Sequence, residues 1–298
     1  MMRGAAALPV LVTGATGFLG RAVVGALHRA GYPVRAAGGP RSGGAGVTLA
    51  LDLRDDAQLH DAMHGVQAVI HLAAIGATRA EHDDVATAEI NALGALRVAR
   101  AATAAGVARL LAASTHAVYA DQPGLLHESS ALGPRGIYAS AKLSGEWLAE
   151  AACTDRTSCT TVRLFNLYGA HAPPENVVQL FATALGAGAP IALAAPADRL
   201  VDLLHVDDAA DTLVTLLGCR ALPPLLNLGT GIGTPLVAVA HAVARVLGVP
   251  QPGIGAADGG TYLHDRVACI ARLRSVVPSF APRAVARGLH DTFASQPA

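Results

Sequence analysis

A rhythm limits what this chain can fold into. Short apolar runs, "LPVLVT" (8–13), "YPVRAA" (32–37), "VTLALDL" (47–53), "QAVIHLA" (67–73), "ARLLAAS" (108–114) and "CTTVRLF" (159–165), alternate with segments of helical period. Strands separated by stretches long enough for a crossover helix pair in parallel, with helices covering both faces of the sheet. The chain is therefore predicted to be α/β, with a doubly wound parallel sheet. Pro9 removes a ladder donor but falls near the start of the first run, where that is tolerated.

The first strand runs directly into "TGATGFLG", which places Gly14, Gly17 and Gly20 at three-residue spacing before a helix predicted from about Phe18 to Ala30. Glycines allow a tight turn and close backbone approach, and the helix N-terminus presents free N–H groups to a pyrophosphate. Thr16, Phe18 and Leu19 complete this loop. A strand-to-helix turn can need glycine for packing alone, but this position is the one the dinucleotide motif requires. An acidic residue closing the second strand would select NAD over NADP. Here Gly38 and Gly39 occupy that place, with Arg35 before and Arg41 after. Arg41 or Arg21 can bind a 2′-phosphate, or both can be solvated. The reading thus tilts toward NADP over NAD. Asp52, followed by Leu53, ends the third run where an adenine would lie. The alternative for Asp52 is to cap the next helix, a task for which Asp55 is better placed.

After about residue 166 the alternation loosens. "RLVDLLHVDDAADTLVTLL" reads as a strand ending near Val206 and a helix opening at the aspartates, and Thr234 with Pro235 suits the start of a further helix. Two domains are predicted: a dinucleotide-binding one at 1–166 plus about 200–230, and a smaller C-terminal substrate-binding lobe at 167–199 plus 231–298.

Composition excludes several classes. Lysine plus arginine equals aspartate plus glutamate at 22 each, which gives no footprint for nucleic acid or an anionic membrane. No apolar run approaches ~20 residues, and glycines break the apolar N-terminus too early for a signal peptide. Cys153, Cys159, Cys219 and Cys269 have no metal-site spacing. The expectation is a cytoplasmic protein with reduced thiols and no metal, whose partners are small molecules and copies of itself.

"RGIYASAKLSGEW" (135–147) puts Tyr138 and Lys142 four apart, side by side on one helix face. A neighbouring ammonium favours phenolate, so the pair can serve as a tuned acid/base. Alone, such a pair is commonplace and is explained more often by a surface or interface helix than by catalysis.

Its company decides the matter. "TGATGFLG", "LDLRD", "VIHLAA", Asn91 in "EINALGALRVARAA", "ASTHAVYA", "YASAK" and "RLFNLYG" follow one another as in the extended short-chain dehydrogenase/reductase family, the NAD-dependent epimerase/dehydratase type. The chain resembles that family from about residue 8 to 230. The resemblance implies a Rossmann domain, with Tyr138 as the acid/base and Lys142 on the nicotinamide ribose, where it depresses the tyrosine pKa. Thr115 would hold the substrate oxygen, with Ser114 as the fallback. Ala73 and Ala74 would line the nicotinamide, and His71 reads as a buried histidine rather than a catalyst. It also implies a homodimer through a four-helix bundle of the Tyr138 helix, with Trp147 and Leu148, and a long helix from about Asp83 to Ala105.

The implied chemistry is hydride transfer between nicotinamide and a sugar-like carbinol or ketone. Dehydratases of the family carry an aspartate and a glutamate after the threonine; here those positions are His116 and Ala117, which leaves 4-epimerisation or 4-ketoreduction. Asn166 and Asn176 fall where relatives touch a nucleotide-sugar, or are plain turn residues. The family's diphosphate-gripping arginine is Val201 here; Arg199 lies two residues away and can substitute, and Arg266 is either a second phosphate ligand or a surface charge. A small non-sugar ketone, or a noncatalytic NAD(P)-sensing role, is the alternative.

Overall fold

The computed structural model describes residues 8–40, 47–193, 195–249, 251–256 and 264–294. The alternating runs form one sheet from β1 (Val10–Thr13), β2 (Val34–Gly38), β3 (Leu49–Ala50), β4 (Ala68–His71), β5 (Arg109–Thr115) and β6 (Ser158–Leu164), joined at one edge by β10 (Leu225–Leu228). Its order is β10-β6-β5-β4-β1-β2-β3. The inner strands pair in parallel, with Val10 opposite both Val34 and Ala68. Every residue of β1 and β4 is buried, as expected where helices cover both faces. Two corrections to the predicted elements arise here. The third run is expected over 47–53 but pairs only at Leu49–Ala50, because it is the sheet edge and the chain turns once Leu51 N–H has bonded the Gly38 carbonyl.

The second correction concerns the helices. After α1 (Phe18–Arg29), α2 (Asp56–Met63) and α3 (Ala77–Ala80), the expected long helix is split into α4 (Asp84–Ala88), a π-helical turn at Glu89–Leu93, and α5 (Gly94–Ala104). The turn sets Asn91 against the loop after β4, where its amide accepts from Ile75 N–H at 2.8 Å and donates to Ile75 C=O at 2.9 Å. A further helix, α6 (Gly136–Ala152), runs against it. Gly145 is required at that crossing, since a Cβ there would lie 2.3 Å from the Asn91 carbonyl oxygen.

By their contacts the described residues fall into two compact units. The first comprises Met1–Val118, Pro134–Arg163 and Ala210–Leu226, and the second Tyr119–Gly133, Leu164–Ala209 and Asn227–Ala298. Residues 119–133 and 200–209 thus sit with the second unit rather than with the sheet domain. The reason is bonding: Tyr119 O–H donates to Asn227 at 2.6 Å, and Leu126 N–H to the Val267 carbonyl at 2.8 Å.

The second unit holds β7 (Asn166–Tyr168), β9 (Leu200–His205) and β11 (Gly233–Pro235) as one small sheet, and β8 (Ile191–Leu193) with β12 (Ile254–Ala256) as a parallel pair. Of its helices, α7 (Val177–Gly186) and α9 (Leu236–Val246) pack on a core that includes Tyr168, Phe181, Leu203 and Val239. Its remaining helices are α10 (Ala271–Val276) and α11 (Val285–Ala294), while α8 (Val206–Gly218) starts in the second unit and has most of its length in the first. Thr234 does not cap α9. It is spent in β11 opposite Val201, and Pro235 opens the helix with no side-chain cap. The fully buried Asp202 of β9 accepts from Thr230 N–H at 2.7 Å and its hydroxyl at 2.6 Å, and from the N–H groups of Gly231 at 2.9 Å and Ala268 at 3.2 Å.

Candidate active site

The glycine loop is packed to its limit. Gly14 holds φ at +70°, and a Cβ on it would meet Ala73 N at 2.6 Å. A Cβ on Gly20 would sit 2.1 Å from the Gly14 carbonyl oxygen. Gly17 is the N-cap of α1 and offers no side-chain cap, and the first turn carries no acidic residue. The helix therefore presents its N–H groups and positive end outward, between Thr16 and the partly buried Phe18 and Leu19. This set fits a dinucleotide pyrophosphate. Arg21 is exposed and donates to the Thr16 carbonyl at 2.7 Å. Arg35 is spent on the carbonyls of Ala62 and His64 at 2.7 and 2.9 Å. Arg41 lies outside the described residues.

At the third strand, Asp55 caps α2, accepting from Ala57 and Gln58 N–H. Asp52 is held by Arg54 through Nε at 2.9 Å and Nη2 at 2.7 Å, and this hydrogen-bonded guanidinium keeps its carboxyl below the usual range. Leu53 packs in the core, against Gly94. Ala73 N–H donates to Thr13 Oγ1 at 3.3 Å and Ala74 is exposed. His71 is buried, as expected, with Nδ1 2.7 Å from Thr13 Oγ1; burial and then the charge of Lys142 push it down to about 3, so it is neutral.

β5 and α6 bring Thr115, Tyr138 and Lys142 together. Thr115 ends β5, and its hydroxyl lies close enough to the phenol of Tyr138, in the first turn of α6, to act on its proton affinity. The Thr115 oxygen also accepts Ala117 N–H at 3.1 Å, and His116 opens a short 3-10 turn. Lys142 is buried, one turn beyond Tyr138, and donates to the Ala113 carbonyl at 2.6 Å. Burial lowers its ammonium to about 8. The expectation that Lys142 depresses the tyrosine is not what this geometry gives: burial of the phenol dominates and raises it, with the nearby Thr115 hydroxyl acting in the opposite direction. The lysine charge is directed to a backbone carbonyl instead. Ser114 is turned inward, its hydroxyl donating to Glu146.

The NAD dependent epimerase/dehydratase family profile matches residues 10–229. The chain belongs to that family. A UDP-glucose 4-epimerase of Mycolicibacterium smegmatis is 30% identical over 260 residues, 81% of this chain and 83% of that protein. A dTDP-glucose 4,6-dehydratase of Streptomyces niveus is 28% identical over 268 residues, 80% and 77% of the two chains. Among solved structures, MoeE5 in complex with UDP-glucose and NAD superposes with a TM-score of 0.85 at 27% identity, covering 96% of this chain and 97% of that one. The Thermus thermophilus UDP-glucose 4-epimerase complex with NAD gives 0.82 at 27%, covering 96% and 98%. Epimerase/dehydratase relatives of both reaction types are thus similar to this chain, and the family alone does not separate the two reactions.

In this member of the epimerase/dehydratase family, the second unit carries the other expected substrate residues. Asn176 caps α7, accepting Val178 N–H at 3.1 Å, and donates to the Leu167 carbonyl at 2.6 Å. Asn166 donates to the Asp202 carbonyl at 3.2 Å. Arg199 precedes β9 rather than sharing its face, half-buried in the field of Asp121 and Asp265. Arg266 is not a surface charge: it is 2% exposed and donates to the Ala120 carbonyl at 3.1 Å.

One signal went unused in the sequence. Of 22 basic residues, Lys142 is the only lysine. A chain that uses arginine everywhere else keeps a compact ammonium, able to lose its proton, at this one buried position. No described helix is long and apolar enough to cross a membrane.

Proposed function

We propose that this chain is a nucleotide-sugar 4-epimerase or 4-ketoreductase, with Thr115, Tyr138 and Lys142 as its reacting group and Gly14–Gly20 as the pyrophosphate loop. The convergence of Thr115 at the end of β5 with Tyr138 and the sole, buried lysine on α6 carries this reading. NAD, when bound, supplies the hydride acceptor and donor. Tyr138 exchanges the proton of the substrate oxygen, and Thr115 orients that oxygen. Because burial holds Tyr138 as a phenol, it stands ready to protonate a ketone oxygen, the step common to ketoreduction and to the return half of epimerisation. Dehydration requires a further acid and base, and His116 and Ala117 supply no carboxylate at the two positions after Thr115. That absence also argues against the dehydratase activity of some relatives.

Cofactor choice is part of the same test. The freshly purified protein is denatured and any released dinucleotide identified by mass spectrometry. Near-stoichiometric NAD, with UDP-glucose converted to its 4-epimer without net NADH, is the result expected of an epimerase. Empty protein that binds NADPH over NADH would make it a reductase and give Arg21 and Arg41 a role. Binding neither overturns the proposal.

We also propose a homodimer. Trp147 is 56% exposed on α6 and Leu93 41% exposed in the π-turn that packs against that helix, and a partner helix pair would cover both. Light scattering at micromolar concentration should give twice the chain mass; the mass of one chain refutes the dimer.

A further inference from the structure

One buried charged group near the reacting residues has no part in the reaction as argued. Glu146 lies one turn beyond Lys142 on α6 and is 8% exposed. Its carboxylate accepts from Arg163 of β6 through Nε at 3.0 Å and Nη2 at 2.6 Å, and from the Ser114 hydroxyl at the end of β5. One carboxylate thus joins β5, β6 and α6. Beside it is a cavity of about 10 Å³ lined by His71, Asn91, Ser114, Lys142, Glu146 and Thr161.

Stability alone gives a poor account of this pair. Apolar residues of similar volume would fill the same space without desolvating two charges, often at no loss. What the pair offers instead is a fixed anion beside the one lysine of the chain.

We propose that Glu146 is a positioning residue: through Ser114 it holds the end of β5, and so Thr115, against Tyr138, and its charge keeps Lys142 an ammonium ion. This rests on the reading of Tyr138 and Lys142 as the reacting pair. The surroundings of Lys142 support it. His71, on β4, is neutral, and so is the phenol of Tyr138 on α6; Arg163, on β6, is bound to Glu146. Glu146 is the sole carboxylate among the described cavity-lining residues. Burial lowers Lys142 to about 8, and Glu146 is the group that raises it against that burial. The ammonium therefore persists below about pH 8 and is lost as pH rises through that value. Without Glu146 the loss moves to lower pH.

A single lysine makes this measurable without substrate. Protein labelled with [13C]lysine gives one Cε resonance, titrated by NMR from acid to alkaline pH. Glu146→Gln leaves Arg163 buried and uncompensated, so the double variant Glu146→Gln/Arg163→Met, which removes the pair together, accompanies it. In either folded variant the midpoint should fall by about one unit or more, whereas Glu146→Asp should stay near wild type. An unchanged midpoint in a folded variant overturns the proposal. So does a wild-type midpoint at or above the ordinary 10.5, which needs no variant. No turnover is read here, so a failed epimerase assay counts against the proposed function while the titration decides Glu146.

Discussion

Tyr138→Phe is expected to lower kcat by ~10²–10⁴-fold, the range that a positioned proton donor contributes, while NAD affinity stays within about twofold of wild type. The asymmetry follows from what the substitution removes. Only the phenolic oxygen is lost; the ring, the helix and the bond of Lys142 to the Ala113 carbonyl remain. Thr115 keeps its Ala117 N–H partner, so β5 keeps its end geometry. Steady-state rates with the nucleotide-sugar that the wild type converts, together with calorimetric NAD titration, separate the two quantities. A variant with wild-type kcat would exclude Tyr138 as the proton donor. Equal loss of NAD affinity and rate would instead assign it to cofactor binding.

The second large effect is expected at Gly20→Ala. A single methyl there would stand 2.1 Å from the Gly14 carbonyl oxygen and 2.8 Å from Ala15 Cα, both of them backbone. Gly14 has little room to retreat, because the backbone of Leu72 and Ala73 lies so close behind it that even a Cβ on Gly14 would meet Ala73 N at 2.6 Å. The loop must therefore open, at a cost of about 3 kcal/mol or more. That should appear as a fall in Tm of ~6–12 °C and weaker NAD binding by on the order of 100-fold, since ~3 kcal/mol is about that factor. Gly25→Ala on the same helix is the control. Its methyl would meet only Arg29 Nη1, at 3.5 Å, and an alanine there should raise stability by about 0.5–1 kcal/mol. Two variants with the same Tm and Kd would refute the close-packing account of the loop.

The legible parts of this molecule were those written in neighbouring residues. "TGATGFLG" after the first strand and Tyr138 with Lys142 at helical spacing needed only local geometry, and the inner strands followed from unbroken apolar runs. What was not legible depends on partners far apart in the chain. Ser114 read as a substrate residue because nothing nearby marks Glu146 as its partner, 32 positions on. Arg266, in a stretch rich in polar residues, gave no sign that backbone carbonyls of a distant segment would enclose it. The π-turn left no periodic trace either, since its cause is the bond of Asn91 to Ile75 and the nearness of Gly145. One clue was available: Tyr138, Lys142 and Glu146 are spaced at four and four, a single helix face with three ionisable groups.

Asp202 bears on how the second unit comes apart. The segments at 229–232 and around 268 contain turn residues and little regular structure, and such loops ordinarily open at small free-energy cost. Here three amides and a hydroxyl from those segments serve a carboxylate that burial already pushes toward its protonated form. Releasing either loop leaves that carboxylate short of partners in a dry interior, which is costlier than leaving the loop closed. The two segments therefore belong to the same cooperative block as β9 and share its protection. Motions that occur without unfolding that block have to be sought in other segments of the unit.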